Sequence, residues 1–164
     1  MSPSERNTQT AAARRAPEAQ LRALVAKLAP AHQRLTGALR RWLRKRLPSA
    51  HELVYEYSDC VVISYAPDER GYEGVLAIRA SATEVRLYIN RGKGLPDPEK
   101  LLQGTGKQAR WMAVEGTSTL ARPAVVDLID EAMARNRIPF ASSGLGPVVI
   151  RSEVTKPRQR RRPA

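Results

Sequence analysis

The hydrophobic period of the chain changes from 3.6 to 2 at Pro48, and that change restricts the fold more than any other feature. Before it, Leu21, Leu24, Val25 and Leu28 recur at i, i+3, i+4 and i+7, and Leu35, Ala38, Leu39, Trp42 and Leu43 repeat the pattern. This is the spacing of amphipathic helices. Pro17 opens the first with Glu18 beside the positive end of its dipole, and Pro30 ends or kinks it. A second helix is predicted from about Ala31 to Leu47, with Trp42 in its apolar arc and Pro48 as its stop. Beyond Pro48 the period is 2. Glu52 to Tyr57, Cys60 to Tyr65, Gly74 to Ala80 and Glu84 to Ile89 are short and rich in β-branched and aromatic residues, as strands are. Val85, Leu87 and Ile89 alternate with polar residues, the pattern of a half-buried antiparallel strand.

The rest of the chain is punctuated by turn residues. A Gly/Pro-rich stretch from Gly92 to Pro98 precedes a predicted short helix through Leu101 and Leu102, and Gln108 to Val114 reads as a strand. Ser118 or Thr119 is placed to cap a last helix striped by Val125, Leu128, Ile129 and Ala132. Val148 to Ile150 is a short extended segment. Strands flanked by helices predict an α+β fold of two layers, an antiparallel sheet with the helices on one face. The expected division is a disordered tail over 1–16, one domain over 17–154 and a disordered basic tail over 155–164.

Charge is unevenly spread over the 164 residues, whose formal net charge is +12. Residues 21–47 hold eight Lys or Arg and no acid, whereas residues 48–154 hold 12 basic and 14 acidic residues, so the middle of the chain is close to neutral. The final ten add Lys156, Arg158, Arg160, Arg161 and Arg162. The single cysteine, Cys60, excludes an internal disulfide framework and is expected in the core. No run approaches the 18 or so apolar residues of a membrane span, and no apolar segment follows Arg14 and Arg15 as in a signal peptide. A cytoplasmic location is the expectation.

Three stretches carry a family likeness: His51 to Tyr57; the strand through Ile89 into Arg91-Gly92; and Leu95-Pro96-Asp97-Pro98 with Leu101, Leu102, Gly104, Gly106 and Lys107. With the closing Val149-Ile150-Arg151-Ser152 and basic tail, they resemble the YdhG-like family of small bacterial proteins over roughly residues 18–155. The resemblance implies a two-layer α+β fold and, for most members, no assigned activity. Some members are described as frataxin-like intracellular iron chaperones. No catalytic residues and no cofactor come with it.

Gly104-Thr105-Gly106-Lys107 invites a phosphate-loop reading, but the loop has Leu101 where a Walker motif needs Gly and Gln108 where it needs Ser or Thr. A helix C-cap explains the glycines instead. Lys93, Lys107 and Arg110 still flank glycine-rich backbone that can present N–H groups to an anion. For iron, Glu52, Glu56 and Asp59 are the candidate hard oxygen donors, and the acidic ridge of frataxins has no counterpart in the acid-free stretch 21–47. No serine, cysteine or histidine sits in a nucleophile motif, so no catalytic residue is assigned. At 100° per residue, Arg34, Arg40, Arg41, Arg44 and Lys45 fall on an arc opposite Leu35, Leu39 and Trp42. That arc, with Arg158, Arg160, Arg161 and Arg162 of the tail, is the candidate contact for nucleic acid or another polyanion. Plain solvation of the arc, binding to a partner or membrane surface, iron chaperoning and self-association stay open at this level.

Overall fold

The computed structural model describes residues 16–71 and 74–155. Helix α1 covers residues 16–25 and α2 covers Pro30–Arg46. Strands β1 (His51–Tyr57), β2 (Cys60–Ala66), β3 (Leu76–Ser81), β4 (Val85–Ile89) and β5 (Arg110–Ala113) follow. Helices α3 (Thr117–Ala121) and α4 (Pro123–Ala134) then lead to β6 (Val148–Thr155). The strands form one sheet in the order β5-β4-β3-β2-β1-β6. The fold is α+β.

The first five strands pair antiparallel, each with its neighbour in sequence: tight turns reverse the chain between β1 and β2 and between β3 and β4, and the longer stretch 90–109 returns β5 beside β4. The sixth departs from the expected all-antiparallel sheet. After α4 the chain returns to lay β6 parallel to β1, so the sheet is mixed. Gly146 sets this return. Its N–H donates to the Pro48 carbonyl at 2.8 Å, and a Cβ there would lie 1.7 Å from the Ala50 carbonyl oxygen, so only glycine fits. The adjoining Pro147 carbonyl accepts from the Glu52 N–H at 2.9 Å, which fixes the register of β6 beside β1.

One face of the sheet carries the core. Register aligns Val54 with Ile63, Ile78, Leu87 and Met112 in a row across five strands. Leu21 and Leu24 of α1, Leu39 and Leu43 of α2 and Val125, Leu128, Ile129 and Ala132 of α4 belong to the same core cluster. These helical residues are the apolar stripes read from the sequence. Trp42, in the same apolar arc, also packs against this cluster. It is half-buried at the margin of the core, and the Arg46 guanidinium sits over its ring at 4.3 Å.

Two local expectations also fail. No helix forms through Leu101 and Leu102; Asp97 instead accepts hydrogen bonds from both their N–H groups at 2.9 Å, and Lys100 adopts a φ of 53°. Two prolines and that left-handed residue leave no room for a helical turn. The glycines after it therefore cap no helix: Gln103 bridges to Trp111, and Gly104, at φ 117°, lies against the Trp111 indole. Nor do Ser118 and Thr119 cap the last helix. They lie inside α3, whose N-cap is Gly116, and α4 starts afresh at Pro123 after extended Arg122.

Candidate anion-binding surface

The acid-free second helix packs over Glu52, the one fully buried carboxylate among the described residues. Glu52 shares the helix-facing side of β1 with Val54 and is 1% exposed. Both its oxygens are occupied. Arg40 donates from Nε to Oε2 at 2.8 Å and from Nη2 to Oε1 at 3.0 Å, Arg44 Nη1 lies 3.1 Å from Oε1, and the Tyr65 hydroxyl donates to Oε2 at 2.9 Å. Arg40 also grips Glu18 of α1 through Nη1 and Nη2, at 2.7 and 2.6 Å. One guanidinium thus forks onto two carboxylates and ties α1, α2 and β1 together. Burial opposes its charge, but the bonds to Glu18 and Glu52 hold Arg40 more firmly protonated than an ordinary arginine. The same bonds hold the Glu18 carboxyl below its usual range, against partial burial. Burial, with the Glu52 charge beside it, pushes the Tyr65 phenol well above its ordinary value. The cluster is a structural lock. With arginines on both oxygens and a phenol on Oε2, Glu52 keeps no free lone pair for a metal.

This lock divides the predicted basic arc. Arg40 does not belong on an exposed face: its side chain is 15% exposed and turned inward by the two glutamates. Arg44 is shared between Glu52 and solvent. Arg34, Arg41 and Lys45 remain exposed, and none makes an ion pair among the described residues. They are spaced i, i+7 and i+11, so they return to one side of the helix in a stripe about 16 Å long. Arg158, Arg160, Arg161 and Arg162 lie outside the described residues.

The other candidates are arranged differently from the sequence reading. Glu52, Glu56 and Asp59 do not converge: Glu56 pairs with Lys27 at 3.3 Å, and Asp59, in the turn after β1, with Arg79 at 3.4 Å. No group of three or more potential metal ligands occurs among the described residues. In the glycine-rich loops, the Lys93 N–H donates to the Gln108 carbonyl at 2.9 Å, which ties the backbone of one loop to the other. Arg110 is spent on the Gly106 and Ala109 carbonyls, at 2.6 and 2.7 Å, so it offers an anion little.

Sequence reasoning missed an aromatic cluster on the face of the sheet away from the helices. The Arg86 guanidinium stacks 3.7 Å over the Trp111 ring, and Tyr88 lies 6.4 Å from Trp111. Arg86 also pairs with Glu84 and donates to the Tyr88 hydroxyl, while its buried Nε has no hydrogen-bond partner among the described residues. No helix of the described residues is long and apolar enough to cross a membrane. No family model, curated protein or solved structure matches the chain.

Proposed function

We propose that this chain is a non-enzymatic accessory protein that binds polyanions, nucleic acid foremost, through the outer stripe of α2. The observation that carries the reading is the contrast within one helix. Arg40 and Arg44 are drawn onto the buried Glu52, whereas Arg34, Arg41 and Lys45 stay exposed and without ion pairs among the described residues. Nothing in the core needs that stripe, and three cations along one side of a rigid helix can each displace a condensed counterion from a phosphate backbone. Three exposed cations in one stripe match the repeating charge of a phosphate backbone, a contact that carries no sequence information, so the proposed recognition is indifferent to sequence.

The likeness to YdhG-like proteins rests on the motif residues and is compatible with this role. The frataxin-like iron reading draws less support. It needs exposed oxygen donors, and Glu52 is saturated while Glu56 and Asp59 face lysine and arginine. The test is fluorescence anisotropy with two labelled oligonucleotides of unrelated sequence. Equal affinities that fall steeply from 50 to about 200 mM salt support the proposal. Undetectable binding at about 50 mM salt, or an affinity insensitive to salt, overturns it.

A further inference from the structure

A groove of about 600 Å³ runs between α1 and α2, within the range of small-molecule sites. Leu21 and Val25 form its apolar wall, and Arg22, Arg40, Arg41 and Arg44 line it against a single lining carboxylate, Glu18. Even with Glu52 counted beneath, these four cations meet two carboxylates, which leaves two positive charges without a counter-charge. Thr36 also lines the groove. It is 1% exposed, yet its hydroxyl has no hydrogen-bond partner, an unusual state for a buried polar group. Gly37 beside it keeps the space open: a Cβ built there meets only the Arg41 guanidinium, at 3.4 Å. A glycine in a helix interior is otherwise a weakness.

We infer that this groove is a binding site for a small, freely diffusing amphiphilic acid, a carboxylate or phosphate monoester carrying an apolar body. The acidic head answers the surplus guanidinium charge of Arg22, Arg41 and Arg44 and gives the Thr36 hydroxyl an acceptor. The body lies along Leu21 and Val25 over Gly37. An uncharged molecule of the same shape leaves the arginines unanswered, and an inorganic anion leaves the apolar wall wet.

Isothermal titration calorimetry on the full chain tests this with octanoate, octyl phosphate and octanol. The expected result is one-to-one binding of an acid with a dissociation constant below about 1 mM, and at least tenfold weaker binding of octanol. Which acid binds more tightly distinguishes carboxylate from phosphate as the head. Gly37→Leu places a side chain in the groove while favouring the helix, and should weaken the acids at least tenfold without lowering the melting temperature. Arg22→Gln/Arg41→Gln, at two exposed positions, should do the same to the acids and leave octanol unchanged. Octanol binding as tightly as octanoate, no heat from either acid at about 1 mM, or unchanged affinity in both variants overturns the inference. Arg41 belongs to both the groove and the stripe. Gly37→Leu removes no cation and should keep the salt slope of oligonucleotide binding at the parent value, so that variant distinguishes loss of the groove from loss of the stripe.

Discussion

Replacing Arg40 with methionine probes the lock between the layers. Arg40→Met keeps the length of the side chain and removes three donors, leaving Glu52, 1% exposed, with only Arg44 and Tyr65. Removing one partner of a buried ion pair costs about 3–5 kcal/mol, because the remaining charge stays desolvated. Arg44, 3.1 Å from Oε1, still compensates part of that charge, which places the loss at the lower end. The Glu18 contact is nearer solvent and adds no more than about 1 kcal/mol. Arg40→Met should therefore cost about 3–4 kcal/mol in urea unfolding followed by circular dichroism, whereas Arg41→Met, exposed and unpaired, should change stability by less than about 0.5 kcal/mol. Arg40→Met/Glu52→Leu removes both charges and should recover a coupling energy of about 2 kcal/mol or more. A loss below about 1 kcal/mol for Arg40→Met, with the parent denaturant slope, would refute the reasoning.

Three further outcomes follow from the same contacts. Leu39, fully buried, should cost about 2–5 kcal/mol on truncation to alanine, and half-buried Trp42 about 1–3 kcal/mol; denaturant melts giving the reverse order would mean α2 docks on its other side. Because Glu18 is held below its usual range when folded, its stabilisation is complete above the unfolded value of about 4.3 and is lost as pH falls through the depressed one. Glu18→Gln should accordingly flatten the acid limb of a stability–pH curve. Tyr65 is displaced upward, so its contribution is complete below about pH 10 and is lost as pH rises through the folded value. In an alkaline titration at 295 nm, Tyr65→Phe should remove the tyrosinate signal that coincides with unfolding and leave the earlier phase unchanged.

The periods of the sequence reached the helices and strands because burial on one face imposes them directly. Leu39 with Leu43, and Val85 with Leu87 and Ile89, lie where their spacing places them. What the periods did not carry is set by contacts distant in sequence. The parallel β6 depends on the approach of Gly146 to Pro48 and Ala50, almost a hundred residues apart and silent in any local pattern. A helix through Leu101 failed because Asp97 and left-handed Lys100 wrap their backbone into a turn.

The basic arc was legible as a wheel of charges but not as two populations. Arg40 points inward because Glu52 does, and nothing in the alternation of β1 says which face the helices cover. One signal was present: a glutamate sharing a strand face with valine, in a chain whose preceding helical stretch holds eight cations and no acid, wants a buried guanidinium. The Trp111–Arg86 stack needed the pairing of β4 with β5 to be seen at all.

The polyanion claim rests on the outer stripe alone, so the most direct measurement compares salt dependence with and without it. The variant is Arg34→Gln/Arg41→Gln/Lys45→Gln, which leaves Arg40 and Arg44 on Glu52 and keeps the parent circular dichroism. In a salt series with a labelled duplex, the slope of log affinity against log salt should flatten by up to about 2.7, about 0.9 for each phosphate contact removed. A slope equal to that of the parent, with the variant folded, would contradict the account.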